Sequence, residues 1–445
     1  MSVTLIDRAR VIDGSGAAPF EGSVLIDGER IVAVGDVAGF DPNAVAKAQR
    51  VDARGLSLMP GLIDAHCHIT FDEPSSNDEL FFHRREGLAA IIAARNVRKL
   101  LRAGVTGFFD ADCLFDLGVD LRDAIDAGVI EGPRMATGGN ALLTSVGGTA
   151  GYLIPDSGRR GYANVVRSLD EIRIEVRRQA KLGVDWIKVH VTGLIPRQRK
   201  SGEIQAFSFD ELRTVCDTAH ELGIPVTGHC RSAKSISDAV RAGFDMILHG
   251  TFMDEAALEL VVEHKVPLVP TFTFQANLAK YGHKVGADPD LMDVFRREIA
   301  ASAPMLRRAY DAGVPLLCGS ESGFSLTPYG QWHHRELEVF VDELGLTPLQ
   351  AIRCATFECD HALRLDGAVG HIAPGKLADL LLIDGDPSKN VGVLGQRERI
   401  KHVFLGGRPV DLTDRDPPRR PIGGWRVSAY SQRILKRSDA DGADD

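Results

Sequence analysis

Apolar and polar positions alternate along residues 3–53. VTLIDRARVID, GSVLIDGERIVAVGD and AQRVDARG change character at every second residue between glycine-containing turns. That is the pattern of strands with one buried face. The same texture returns after residue 369, in GHIAPGKLADLLLIDGDP and IKHVFLGGRPVDL. Two β-rich ends around a different middle predict a small β-sandwich built from both termini.

The middle, from about residue 59 to 365, repeats one unit, in which a helix closes on glycine and a short apolar strand follows. AGVTGFFDA, LGVDWIKVH, LGIPVTGH, AGFDMILHG and AGVPLLCGS are its instances, and HKVPLVPT is a version without glycine. Glycine suits the left-handed residue that ends a helix. Ser168 with Glu171 and Ser208 with Glu211 fit the S-x-x-E box that begins one. Apolar strands alternating with helices imply a parallel sheet buried on both faces. With LMPGLIDAH as a first strand and GPRMATGG as another, eight strands are expected, which predicts an α/β fold of the (β/α)8 barrel type. The expected division is residues 1–58 and 368–412 in the terminal β-sandwich, 59–367 in the barrel, and 413–445 as a C-terminal extension.

Composition narrows the class. A chain of 445 residues, 44% hydrophobic and 25% charged, has material for a large soluble core. Its net charge of −9 comes with no dense Lys/Arg run, which argues against nucleic acid as a partner. No apolar run approaches the roughly 20 residues of a membrane span, and Asp7 and Arg8 interrupt the N-terminus where a signal peptide needs its apolar core. Seven cysteines without a pairing framework suggest reduced thiols and a cytoplasmic protein. A small-molecule substrate and a homo-oligomer are expected.

Barrel chemistry sits where strands end, and here those ends carry ionisable groups. His66 and His68 close PGLIDAHCH, two residues apart on a strand and so on one face. Lys188 lies inside VDWIKVHV, where a lysine is costly unless paired or neutralised. A snorkelling strand-end lysine is the plain alternative; a carbamate would turn it into an anionic ligand. His229 and His249 end successive strands and carry a ligand type that divalent metals favour. Glu321 follows the last strand, placed to take and return a proton or to sit in a rim salt bridge. His190 shares the face of Lys188, and with Asn140 and Arg231 it is a candidate substrate contact. Arg197, Arg199 and Lys200 read as a solvated loop that could meet a carboxylate. Phe71, Phe81, Phe82, Phe272 and Phe274 could line an apolar pocket or the core. Ser145–Gly148 is a substrate-side loop candidate, and His333 and His334, in a long polar stretch, read as surface.

From VTLIDRARVIDG through PGLIDAHCH and ILHGT to GHIAPGKLADLLLID, the chain resembles the metal-dependent amidohydrolase superfamily. GPRMATGGNAL and SFDELRTVCDTAHELGIPVTGH resemble its imidazolonepropionase-like and Xaa-Pro dipeptidase-type branch most. The resemblance implies a hydrolase that activates water with divalent metal against a C–N bond of an amide, peptide-like, carbamate or urea substrate. It implies His66 and His68 on the more buried ion, carbamylated Lys188 as bridge, and His229 and His249 on a second ion. Zinc is the expected metal, with cobalt, manganese or iron as substitutes, and two ions are expected rather than one. The family usually has Asp where Gly319-Ser320-Glu321 places Glu321; the resemblance makes Glu321 a metal ligand and the proton shuttle, and the longer side chain means that the backbone retreats, the metal pair shifts, or Glu321 acts mainly as a base. Its prolidase-like members often have His where Thr149 stands. A xenobiotic carbamate, thiocarbamate or phenylurea hydrolase, a deaminase and a non-catalytic scaffold are the alternatives. A deaminase-like member typically lacks the bridging lysine, and a scaffold would have lost its histidines.

Overall fold

The computed structural model describes residues 3–74, 85–145, 161–194, 203–413, 431 and 433–440. Both ends of the chain enter one eight-stranded sheet. Val3–Val11 pairs antiparallel with Phe20–Asp27, and parallel with Gln49–Asp52 and Ser57–Pro60. Ser57–Pro60 then pairs antiparallel with Leu380–Ile383, which pairs with Ile400–Leu405. Alternation decides what faces inward. Ile6, Val24, Ile26, Leu58, Leu380, Leu382 and Phe404 are buried together in a core of their own. The pairing is thus one continuous sheet shared by the two ends, where the sequence suggested a sandwich.

The run LMPGLIDAH divides into two strands instead of forming one. Ser57–Pro60 belongs to the terminal sheet, and Leu62–Cys67 to the middle of the chain. Gly61 is the joint. Its N–H donates to Asp379 O at 2.9 Å, and a Cβ there would lie 2.0 Å from the Thr106 hydroxyl oxygen, so only glycine lets the chain pass.

In the middle, Leu62–Cys67, Val105–Asp110 and Arg134–Thr137 form a parallel sheet. A second parallel sheet runs in the order Ala163–Val165, Ala141–Leu143, Ile187–Val189, Val226–Cys230, Met246–His249, Leu268–Val269. Hydrogen bonds join the two at both margins. Asp185 and Trp186 donate to Thr137 O at 3.0 and 3.2 Å. On the other side Leu316 bridges Leu268, and Ala65 donates to Cys318 O at 2.8 Å. The stretch VPLLCGS, expected as a full strand, makes these bridges without a continuous ladder.

Helix signals act as their chemistry requires. Ser208 and Glu211 form the reciprocal capping box at the start of Phe209–Glu221. At Leu169–Leu182 only half of the box forms: Ser168 accepts from the Glu171 N–H, while the Glu171 carboxylate turns to Arg167. No helix among the described residues is long and apolar enough to cross a membrane. The seven cysteines are buried free thiols.

Candidate metal centre

The strand ends bring five imidazoles into one arc. Ring centroids lie 5.0 Å apart for His68–His66, 5.2 Å for His66–His249, 4.3 Å for His249–His229 and 5.3 Å for His229–His190. Three neighbouring segments reach the site through left-handed residues that are not glycine: His249 (φ 68°), Thr271 (φ 58°) and Glu321 (φ 52°). Such a conformation costs about 1–3 kcal/mol per residue and persists only where surrounding structure enforces it.

At His66 a hydrogen bond sets which ring nitrogen is left with its lone pair. The Thr271 hydroxyl donates to Val269 O at 3.0 Å, so its oxygen accepts the Nδ1–H of His66 at 2.9 Å. Nε2 of His66 then carries a lone pair, and it is buried without a hydrogen-bond partner. His249 has no partner at either ring nitrogen. Leaving such a group unsatisfied costs about 1–3 kcal/mol. One ligand atom each from His66, His249 and Glu321 lies within 4.8 Å of the others. Burial, aided by the charge of Lys188 at His66 and of His229 at His249, holds both rings well below the ordinary imidazole value. They present lone pairs, the form that binds a cation. These residues fit a divalent metal.

Asp112 organises the opposite side. Its Oδ1 lies 2.6 Å from Nδ1 of His68, and its Oδ2 2.6 Å from Nε2 of His190 and 3.8 Å from Nζ of Lys188. Burial works against the ionised carboxyl, but His68 and Lys188 overcome it and hold Asp112 well below the carboxylate range. In return His68 is raised despite its burial. Lys188 is buried, and desolvation lowers it from the ordinary lysine value. On His190 desolvation outweighs the Asp112 bond and pulls the ring down to about 4.

His229 is oriented by Glu203. Its Nε2 lies 2.8 Å from Glu203 Oε2, which also accepts from the Thr192 hydroxyl at 2.8 Å. Glu321 is half-buried, and its N–H donates to His66 O at 2.7 Å. Desolvation pushes its carboxyl up to about 7 against the pull of His68, Arg231 and Lys188.

The candidate substrate contacts have other engagements. The Asn140 amide nitrogen lies 2.8–3.1 Å from four backbone carbonyl oxygens, of Cys113, Phe115, Gly161 and Tyr162; this side chain braces a loop. Arg231 pairs with Glu298, and its Nε lies 3.6 Å from Glu203. His190 meets Tyr162 as well as Asp112. Phe71 stacks on His68 at 4.3 Å, and Phe324 packs edge-on to Phe71 and Phe274. Phe272 is in the core. His333 and His334 are buried, contrary to the surface reading, because His333 is drawn to Asp64 at 2.7 Å. Arg197, Arg199, Lys200, Phe81, Phe82, Thr149 and the loop beyond Ser145 lie outside the described residues.

Sequence reasoning missed Asp64, Asp112, Glu203, Thr271 and His333. The run FFDADC carried a signal for Asp112, since Asp110 ends a buried strand and Asp112 follows it with the same two-residue spacing as His66 and His68. Glu203 had none, being brought in by the antiparallel pairing of Thr192–Leu194 with Ile204–Gln205.

Comparison with known proteins identifies the family and the fold. The profile described as "Amidohydrolase family" matches residues 57–410. The ochratoxinase of Aspergillus niger is 27% identical over 431 residues, covering 91% of this chain and 86% of that protein. A prolidase solved with N-methylphosphonate-L-proline superposes with a TM-score of 0.79 at 29% identity, covering 92% of this chain and 99% of the other. A Xaa-Pro dipeptidase with bound methionine in its active site gives a TM-score of 0.78 at 29% identity over 92% and 100%.

Proposed function

The chain belongs to the amidohydrolase family and is an enzyme, a hydrolase of C–N bonds, and from that premise we propose that it cleaves an amide or peptide-like bond of a small substrate. The observation that carries this reading is the set of buried, partnerless nitrogens on His66 and His249 beside the Glu321 carboxylate. The prolidase, Xaa-Pro dipeptidase and ochratoxinase likenesses support a peptide-like amide over a carbamate or urea.

Two divalent ions, zinc by preference, would be held by His66, His68 and Glu321 on one side and His229 and His249 on the other. When bound, a divalent cation polarises a carbonyl and lowers the pKa of water. Lys188, once carbamylated, would supply oxygens to both ions. Desolvation favours its neutral amine, the form that combines with CO2 to give a carbamate. Glu321 takes a proton from the attacking water and returns it to the departing amine; a carboxyl near 7 suits both halves of that exchange. Phe324, partly exposed and packed edge-on to Phe71, offers an apolar contact to the substrate.

The same reading closes the two parallel sheets into a (β/α)8 barrel that begins at Leu62, after the strand Ser57–Pro60 of the terminal sheet, and ends near residue 367. It assigns the residues before Leu62 and 368–412 to the terminal domain, and 413–445 to an extension. It takes the enzyme to be a cytoplasmic homo-oligomer, in keeping with seven free thiols.

Elemental analysis of the purified protein, followed by a panel of acyl-amides, dipeptides, carbamates and ureas, tests the proposal. Bound zinc with turnover of the dipeptides or acyl-amides is expected. Protein that takes up no divalent ion, or that turns over only the ureas, would refute it.

A further inference from the structure

The reading of His333 as a surface residue fails for a reason that reaches the metal centre. Its Nε2 accepts the Gly330 N–H at 3.0 Å, so its proton resides on Nδ1, 2.7 Å from Asp64 Oδ2. Asp64 is buried and uses both oxygens. Oδ1 accepts the His66 N–H at 3.1 Å and the Ser320 N–H at 2.9 Å, while Oδ2 also accepts the Ser320 hydroxyl. One carboxylate therefore ties the strand carrying His66 to the segment carrying Glu321.

Three residues further on, Glu336 is fully buried in the first turn of the helix Arg335–Asp342. Its carboxylate accepts the Phe272 N–H at 2.9 Å, the Thr273 N–H at 2.7 Å and the Thr273 hydroxyl at 2.7 Å. These bonds fix the backbone directly after Thr271, the left-handed residue that receives the Nδ1–H of His66. The two arms thus converge on one imidazole. His333 works through Asp64 on the His66 backbone, and Glu336 works through the 271–273 turn on its ring.

We propose that residues 333–336 are a brace that sets the orientation and tautomer of His66, with His333 and Glu336 as positioning residues for the metal centre. Neither is one of the proposed ligands. What they supply is a fixed Nε2 lone pair, and outer partners of this kind typically govern metal affinity by 10–100-fold. The proposal rests on the metal-centre reading above.

The two ring nitrogens of His333 give a discriminating pair of variants. Asparagine places its amide nitrogen near Nδ1 and keeps a donor for Asp64. Glutamine reaches the Nε2 position and keeps only the partner for Gly330. Zinc and cobalt affinity of the apo-protein, measured by chelator competition, and apo-protein Tm are the readouts, with the absorption spectrum of the cobalt form as a check on ligand geometry. His333→Gln and Glu336→Gln are expected to weaken the tighter ion by 10–100-fold and alter the cobalt spectrum. His333→Asn should stay near wild type in both. Wild-type affinity and spectrum in His333→Gln and Glu336→Gln, even with a lowered Tm, overturn the brace alone and assign these residues to packing. A wild-type protein that binds neither ion overturns the metal reading and the brace with it.

Discussion

Glu203 lies 2.8 Å from Nε2 of His229, so the carboxylate holds that nitrogen's proton and leaves Nδ1 as the free lone pair of the ring. A carboxylate on the outer nitrogen of a metal-binding histidine fixes its tautomer and raises its basicity. Glu203→Ala should therefore lower affinity for the second ion by about 10–100-fold, while the His66 ion is retained. Chelator-competition titration with zinc resolves the two. An unchanged second site would mean that His229 meets the ion through Nε2 and that Glu203 must move aside.

The same residue predicts an acid-sensitive step. Burial opposes ionisation of Glu203, but His229 and Arg231 pull it down to about 2, from 4.5 in an unfolded chain. A depressed carboxyl stabilises the fold above its unfolded value, and that contribution is lost as pH falls through the window from 4.5 to 2. Urea unfolding of the apo-protein between pH 5 and pH 3 should show wild type losing more stability than Glu203→Gln. Parallel curves for the two proteins would contradict the assignment.

Lys188 tests the bridge. Lys188→Ala should abolish turnover and most of the second ion, and short-chain carboxylates should restore part of the activity by supplying oxygens in the lysine's place. Full metal content in the variant would show that Lys188 is not a ligand and leave it as the partner of Asp112.

Glu321 tests the proton path. Glu321→Gln keeps the shape and removes the base, so kcat should fall by roughly 10²–10⁴-fold. Glu321→Asp should also suffer, by about 10²-fold, because it withdraws the carboxylate by one methylene from a backbone anchored on His66 O, and a displacement on the order of 1 Å is that costly. Near-normal turnover of the Gln variant would remove Glu321 from the chemistry.

What could be read from the sequence, and what could not, divides along physical lines. Strand ends such as His66, His68, His229 and His249 were legible because a two-residue period and an apolar run say both where a strand stops and which face its last residues share. The capping box at Ser208 was legible for the same local reason. Partners distant in sequence were not. Nothing in a polar stretch around residue 333 says that it will meet Asp64, 269 positions earlier. Gly61 broke one apparent strand into two because of Thr106 beyond it, a contact no local pattern carries. Asn140, near a strand end like the clustered histidines, braces backbone carbonyls instead.

The sheet shared by the two ends sets a schedule for synthesis. Leu58 pairs with Leu382, so the strand Ser57–Pro60 leaves the ribosome long before its antiparallel neighbour exists. At the usual pace of translation, ~5–20 residues per second, the interval is on the order of tens of seconds. For that time an apolar edge waits without its partner, in the window when strand edges recruit other chains. Yield in cells should therefore respond to translation speed and chaperone supply more than the stability of the finished enzyme would suggest.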